Sequence, residues 1–128
     1  MAVILLLETD RQLAKNIQAY FSRAGHQLTY YADPQAAVMG ADTSRPDIVI
    51  LDLFLASRSG IEFLYELRSY PEWQTIPVII TGRLPADELG AYQDSFKELG
   101  VSKYLSKQTT SLGQFLAEAE RSLQPAAA

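Results

Sequence analysis

Glu8, Thr9 and Asp10 stand directly behind the apolar run Val3-Ile4-Leu5-Leu6-Leu7. Asp52 stands behind Ile48-Val49-Ile50-Leu51, and Thr81 and Gly82 behind Ile76-Pro77-Val78-Ile79-Ile80. Lys107 follows a weaker run, Lys103-Tyr104-Leu105, at a distance of two. Carboxylates, a hydroxyl and a lysine brought to one place make a magnesium and phosphoryl site. Magnesium prefers oxygen ligands in an octahedron and keeps several waters. Phosphoryl transfer needs an in-line nucleophile and positive charge near the equatorial oxygens. Other chemistries find less support. Without cysteine there is no disulfide, zinc thiolate or thiol nucleophile. The absence of a Gly-rich phosphate loop argues against a nucleotide-binding or flavin-type enzyme. Ser57 and Ser59 lack the flanking pattern of a hydrolase nucleophile.

Only a particular scaffold gathers residues so far apart in the chain. The apolar runs are short and β-branched, and Gln27-Leu28-Thr29-Tyr30-Tyr31 adds another. The first, third and fourth runs are apolar at nearly every position, which suits parallel strands covered on both faces. Between them the period changes to that of a helix. Leu13, Ile17, Tyr20, Phe21 and Ala24 form one stripe, closed by Gly25. Ala36, Ala37 and Met39 suggest a short helix after Pro34; Ile61, Leu64, Tyr65 and Leu67 mark a third. Leu89, Tyr92, Phe96 and Leu99 mark a fourth, expected to open at Pro85 and close at Gly100. Leu112, Phe115, Leu116, Ala119 and Leu123 make the last stripe. Strict β–α alternation predicts an α/β fold, a doubly wound five-stranded parallel sheet with helices on both faces. Ligands of such sheets gather beyond the carboxyl ends of the strands, where the residues above would fall on one rim.

The chain has 128 residues, the size of one domain, with 48% hydrophobic and 20% charged residues. We assign 1–123 to that domain and 124–128 to a plain tail. A net charge of −4 argues against direct nucleic-acid binding through broad phosphate neutralisation. The opening apolar run is too short to span a membrane and lacks a basic leader, so no membrane partner and a cytoplasmic location are expected.

In this order the motifs resemble the receiver domains of two-component response regulators, from Val3 to about Leu123. The resemblance rests on the first run with its acidic end at Glu8, and on Pro46-Asp47-Ile48-Val49-Ile50-Leu51-Asp52. It also rests on Gly60 eight residues past Asp52, on Ile76 to Thr81, and on Tyr104-Leu105-Ser106-Lys107. It implies the flavodoxin-like strand order 2-1-3-4-5. It implies that Asp52 accepts a phosphoryl group from a histidine kinase or phosphotransfer protein. Glu8, Asp52 and the backbone carbonyl of Phe54 would hold Mg2+. Thr81 and Lys107 would contact the phosphoryl oxygens, and Tyr104 would swing inward as Thr81 moves. The domain would not be an enzyme beyond its own phosphorylation and dephosphorylation. Its output would be a protein-binding face between Leu89 and Leu123, taken by a downstream protein or by a second copy in a homodimer. No output domain follows in this sequence, so the chain is expected to act alone or to be an excised part.

The sequence departs from the family pattern in several places. A second acid usually follows the first strand, and here that position is Thr9, a much poorer magnesium ligand. Magnesium binding is therefore expected to be weak, with Asp10 as the candidate substitute. Lys107 precedes Gln108 rather than proline, and a cis bond there would cost ~2.5–4 kcal/mol. The bond is expected to be trans, with Lys107 free to point elsewhere. Ala56 stands where proline is common, and Gly82 to Asp87 is expected to form an unusual loop. These departures motivate a second reading, a pseudo-receiver that docks partners without phosphorylation. Simpler roles compete at single residues. A structural salt bridge with Lys107 is the simpler role for Asp52, which the pattern as a whole disfavours. Thr9 fits an N-cap, with Gln12 completing a capping box, and Asp10 fits the helix dipole. His26, the sole histidine, is expected at the surface, and Trp73 is expected to pack a loop.

Overall fold

The computed structural model describes residues 1–55 and 59–124. The elements are β1 (Val3–Leu7), α1 (Arg11–Arg23), β2 (Gln27–Tyr31), α2 (Pro34–Thr43), β3 (Ile48–Asp52), α3 (Gly60–Ser69), β4 (Val78–Gly82), α4 (Tyr92–Glu98), β5 (Val101–Ser106) and α5 (Leu112–Leu123). Short 3-10 turns at Pro71–Trp73 and Ala86–Glu88 precede β4 and α4. The strands are parallel, in the order β2-β1-β3-β4-β5. The expected fold class and strand order are those observed. Ala56 and all of the tail except Gln124 lie outside the described residues.

Every residue of β3 and β4 is buried, because alternate side chains enter different cores. Ile4, Leu6, Ile48, Ile50, Ile79 and Leu105 pack with Ala14, Ile17 and Phe21 of α1 and Phe115 and Ala119 of α5. Leu5, Leu7, Val49, Leu51, Val78 and Ile80 pack with Ala37 and Ala41 of α2, Phe63, Leu64 and Leu67 of α3, and Phe96 of α4. This parity decides later which polar residues meet. Trp73 is buried in the second core from its 3-10 turn, packing a loop as expected.

Three expectations need correction. The fourth helix does not open at Pro85. The chain makes a 3-10 turn, Gly90 takes φ +56°, and α4 begins only at Tyr92. Leu89 and Leu99 are nonetheless buried in the same core. The cap of α1 is Asp10, whose Oδ1 accepts from the Leu13 amide at 3.1 Å, and not Thr9. The Glu8 amide still donates to the Tyr31 carbonyl at 2.9 Å, so strand pairing runs past β1 and the helix starts one residue later. His26 is half-buried rather than fully exposed. Its Nδ1 accepts from the Ala2 amide at 3.1 Å, its Nε2 meets Glu120 Oε2 at 3.0 Å, and its side chain is only 10% exposed.

Gly60 opens α3 hard against the end of β3. A Cβ there would collide with the Asp52 backbone carbonyl. Gly60→Ala would ordinarily favour a helix. Here it is expected to cost about 1–3 kcal/mol, the range for an overpacked contact. Urea unfolding checks this through a lower midpoint with an unchanged slope.

Candidate functional site

Even positions of β1 and β3 and odd positions of β4 and β5 face α1 and α5. Continued past the strand ends, that parity brings Glu8, Asp52, Thr81 and Lys107 to one side of one rim. Asp52 and Thr81 are direct register partners across β3 and β4. The Lys107 amide donates to the Gly82 carbonyl at 2.7 Å, holding the chain against β4 just beyond β5.

The side chains close on each other. Lys107 Nζ lies 2.7 Å from Glu8 Oε1 and 2.9 Å from Asp52 Oδ2. The second oxygens are also used: Glu8 Oε2 accepts from the Asp10 amide at 3.0 Å, and Asp52 Oδ1 from the Phe54 amide at 3.2 Å. Glu8 is 2% exposed, Asp52 5% and Thr81 2%. Lys107 therefore reaches both carboxylates although no peptide bond among the described residues is cis. The expectation that it would point elsewhere is overturned, because two buried anions hold the ammonium.

The electrostatics follow from burial. The Glu8 carboxyl is held above its ordinary 4.5, chiefly because burial disfavours its charge. Hydrogen bonds from Lys107 and the Asp10 amide offset part of this, and the Asp52 charge adds to it. Burial alone would lower the Lys107 ammonium, but its bonds to Glu8 and Asp52 outweigh that and hold it above 10.5.

A cavity of about 230 Å³ opens over the ion cluster, lined by Glu8, Thr9, Asp10, Asp52, Phe54, Arg83 and Lys107. Thr81 does not line it and lies buried beside Asp52. Asp10, the expected substitute ligand, borders the cavity, but its Oδ1 is committed to the cap of α1. Among the described residues no group of three or more acidic, histidine or cysteine side chains is placed to hold a metal. The remaining donors are two carboxylates and the Phe54 backbone. That set still fits magnesium, which commonly takes one or two carboxylates and keeps its waters. Any such ion competes with the Lys107 ammonium for the same oxygens. Arg83 escaped the sequence reading. The alternation Ile79, Thr81, Arg83 could have shown it, since it carries the face of β4 one step past Gly82.

Tyr104 sits on the opposite face. Its hydroxyl donates to the Leu84 carbonyl at 2.7 Å, and its ring stacks on Phe96 with centroids 5.9 Å apart. The hydroxyl lies 2.7 Å from where a Cβ of Gly82 would stand, so a side chain there would have to displace it. Burial, and next the Asp52 charge, push the Tyr104 hydroxyl above its ordinary 10.0.

The family model for the response regulator receiver domain matches residues 4–118. The chain belongs to that family. Transcriptional regulatory protein KdpE of Mycobacterium tuberculosis is 28% identical over 127 residues, covering 94% of this chain and 55% of its own length. This receiver domain thus spans about half of that relative. Response regulator Rcp1 of a Synechocystis species is 30% identical over 116 residues, covering 82% of this chain and 76% of its own. Among solved structures, Vibrio cholerae chemotaxis protein CheY4 superposes with a TM-score of 0.85 at 21% identity, covering 94% of this chain and 98% of that one. That likeness shows the shared fold. No helix among the described residues of the receiver is long and apolar enough to cross a membrane.

The Glu8 shift sets a pH dependence. Folding raises its proton affinity, so the folded state binds more protons between pH 4.5 and the raised value. Stability from this group falls as pH rises through that window. In metal-free buffer, the stability of Glu8→Gln relative to the parent is expected to grow from pH 4.5 upward and then level off. Urea unfolding across this range measures it; a constant difference would contradict the assignment.

Proposed function

We propose that this receiver relays a signal by accepting a phosphoryl group on Asp52 from a histidine kinase or phosphotransfer protein. The observation that carries the reading is the Lys107 ammonium 2.9 Å from Asp52 Oδ2, with Thr81 the register partner of the same aspartate. A carboxylate oxygen of Asp52 attacks the phosphorus in line. The donor's P–N bond breaks with its electron pair on the ring nitrogen, and the imidazole leaves neutral because its other nitrogen carries the proton. Lys107 and the Thr81 hydroxyl offer positive charge and a hydrogen bond to the phosphoryl oxygens. Glu8, Asp52 and the Phe54 carbonyl are the residues that would hold Mg2+, which supplies further positive charge when bound. Beyond gaining and losing this group the domain is not an enzyme.

Modification replaces one negative charge with about two. Lys107, shared between two carboxylates, is then drawn toward Asp52, and Thr81 with it. Thr81 is followed by Gly82, on which the Tyr104 hydroxyl rests. Movement there shifts the floor beneath Tyr104 and the stack that leads through Phe96 to Tyr92. The element that responds is α4, which has seven residues and no side-chain cap. Such a short, weakly held helix is cheap to move. The face between Leu89 and Leu123 is therefore the proposed docking surface for a downstream protein or a second copy, in the cytoplasm.

Acetyl phosphate with magnesium is expected to add one phosphoryl mass to the parent and none to Asp52→Asn, read by intact mass. No adduct at high millimolar magnesium would favour the pseudo-receiver reading, which the ion pairs already formed by Lys107 with both carboxylates make physically reasonable. In that case partner binding should survive Asp52→Ala.

Thr9 lines the cavity with a neutral hydroxyl. Thr9→Asp is expected to raise magnesium affinity tenfold or more, about 1.4 kcal/mol, by calorimetric titration. An unchanged affinity would show that the missing acid is not what limits binding.

A further inference from the structure

The cavity holds a second cation to which the mechanism assigns no work. Arg83 lines it with Asp52 and Lys107 and is exposed. Among the described residues it makes no ion pair or hydrogen bond with another side chain. It follows Thr81 by two residues, on the face of β4 that carries Thr81, and the bend after Gly82 leaves it at the mouth. Lys107, by contrast, is spent on two carboxylates before any ligand arrives. Glu8 and Asp52 carry two negative charges against its one. A phosphoryl group raises the charge at Asp52 to about −1.5 to −2, and the cluster is then short of positive charge. With no metal bound, loss of Lys107 from Glu8 would leave that buried carboxylate with only the Asp10 amide as partner, so the lysine is not given over wholly to the phosphoryl group. Asp10 adds no cation, and Thr9 is neutral.

We propose that Arg83 is a phosphoryl-binding residue of this site, closing over the cavity and donating two N–H bonds to the phosphoryl oxygens that Lys107 leaves uncovered. The inference rests on the reading of Asp52 as phosphoacceptor. A guanidinium suits the task. It is always charged, is less strongly hydrated than an ammonium, and presents a planar fork matched to two phosphoryl oxygens. With no side-chain partner among the described residues, it breaks none of their bonds in order to close. Its charge also attracts the anionic donor before transfer. The site therefore depends less on magnesium than two carboxylates and one lysine alone would require.

The step to be measured is the reaction with acetyl phosphate. An Asp52 oxygen forms the new P–O bond, the P–O bond to the acetyl group breaks, acetate leaves with the electron pair, and no proton moves. In the full chain with magnesium, Arg83→Ala is expected to lower the second-order rate constant of phosphorylation by acetyl phosphate fivefold or more, mainly by weakening binding of the donor. Arg83→Lys is expected to recover at least threefold of that loss, and the melting temperature to stay at the parent value in both. A smaller loss in the alanine variant, or no recovery with lysine, overturns the proposal. A second arm separates this failure from that of the phosphoacceptor reading. Inorganic phosphate is titrated into Asp52→Asn, with and without Arg83→Ala, and followed by amide NMR shifts. Affinity at least threefold weaker without Arg83 supports the clamp. Equal affinity, or no binding to either, overturns it. If the parent takes no phosphoryl group, the phosphoacceptor reading falls and this second arm alone decides.

Discussion

One half-buried ammonium between two buried carboxylates organises this end of the domain. Glu8 and Asp52 are nearly inaccessible to water, and both depend on Lys107. Taking such charges out of water costs several kcal/mol per ion, and their attraction repays that only when the remaining lone pairs are satisfied. Here they are: the Asp10 and Phe54 amides complete the two carboxylates. Even so, burial pushes Glu8 upward, and the charge of Asp52, which shares the same cation, adds to it. A core built only for stability would have used apolar side chains. The cluster is better understood as a standing demand for positive charge, held at the carboxyl rim of the sheet where a small anion and a cation can reach it.

The sheet carries the consequences of that cluster to its other side. Thr81 faces the ions, while its neighbour Gly82 is pressed by the Tyr104 hydroxyl. Successive residues of a strand point to opposite faces, so a shift of β4 is felt on both. On the far side, Tyr104, Phe96, Tyr92 and Phe54 form a line of ring contacts. It ends at Phe54, whose amide holds the other oxygen of Asp52. The aspartate is thus joined to α4 by two routes, through β4 and through the loop behind β3. Arg68, in contrast, holds the far end of α4. Its guanidinium donates to the Leu99 carbonyl at 2.9 Å and the Trp73 carbonyl at 2.9 Å. One end of the α4 segment is pinned to α3, and the end nearer the site rests on the contact of Tyr92 with Phe54.

The inner strands β1, β3 and β4 were legible because burial on both faces demands unbroken apolar runs, and the acids and the threonine behind them were legible for the same reason. Where the reading failed, a contact between distant parts of the chain decided. Thr9 and Asp10 both fit a capping position by spacing. The pairing of Glu8 with Tyr31 delays the helix and selects Asp10. His26 is partly covered by its contacts with Ala2 and Glu120, both far away in sequence. The stripe from Leu89 to Leu99 is real as a buried set, yet the turn at Gly90 divides it, and periodicity alone does not register a change of backbone direction.

Read alone, the residue pattern determined the α/β class, the alternation of elements and the identity of the residues behind each strand, since these depend on local periodicity and on the two-sided burial of a parallel sheet. Only the tertiary structure decided that Lys107 spans two carboxylates, that Asp10 is bound to a helix end, that Tyr104 rests on Gly82, and that Arg83 borders the same cavity. Those are meetings of side chains from different strands and loops. Their outcome depends on register, on parity past the strand ends and on the competition of buried charges for one partner, none of which is a property of neighbouring residues.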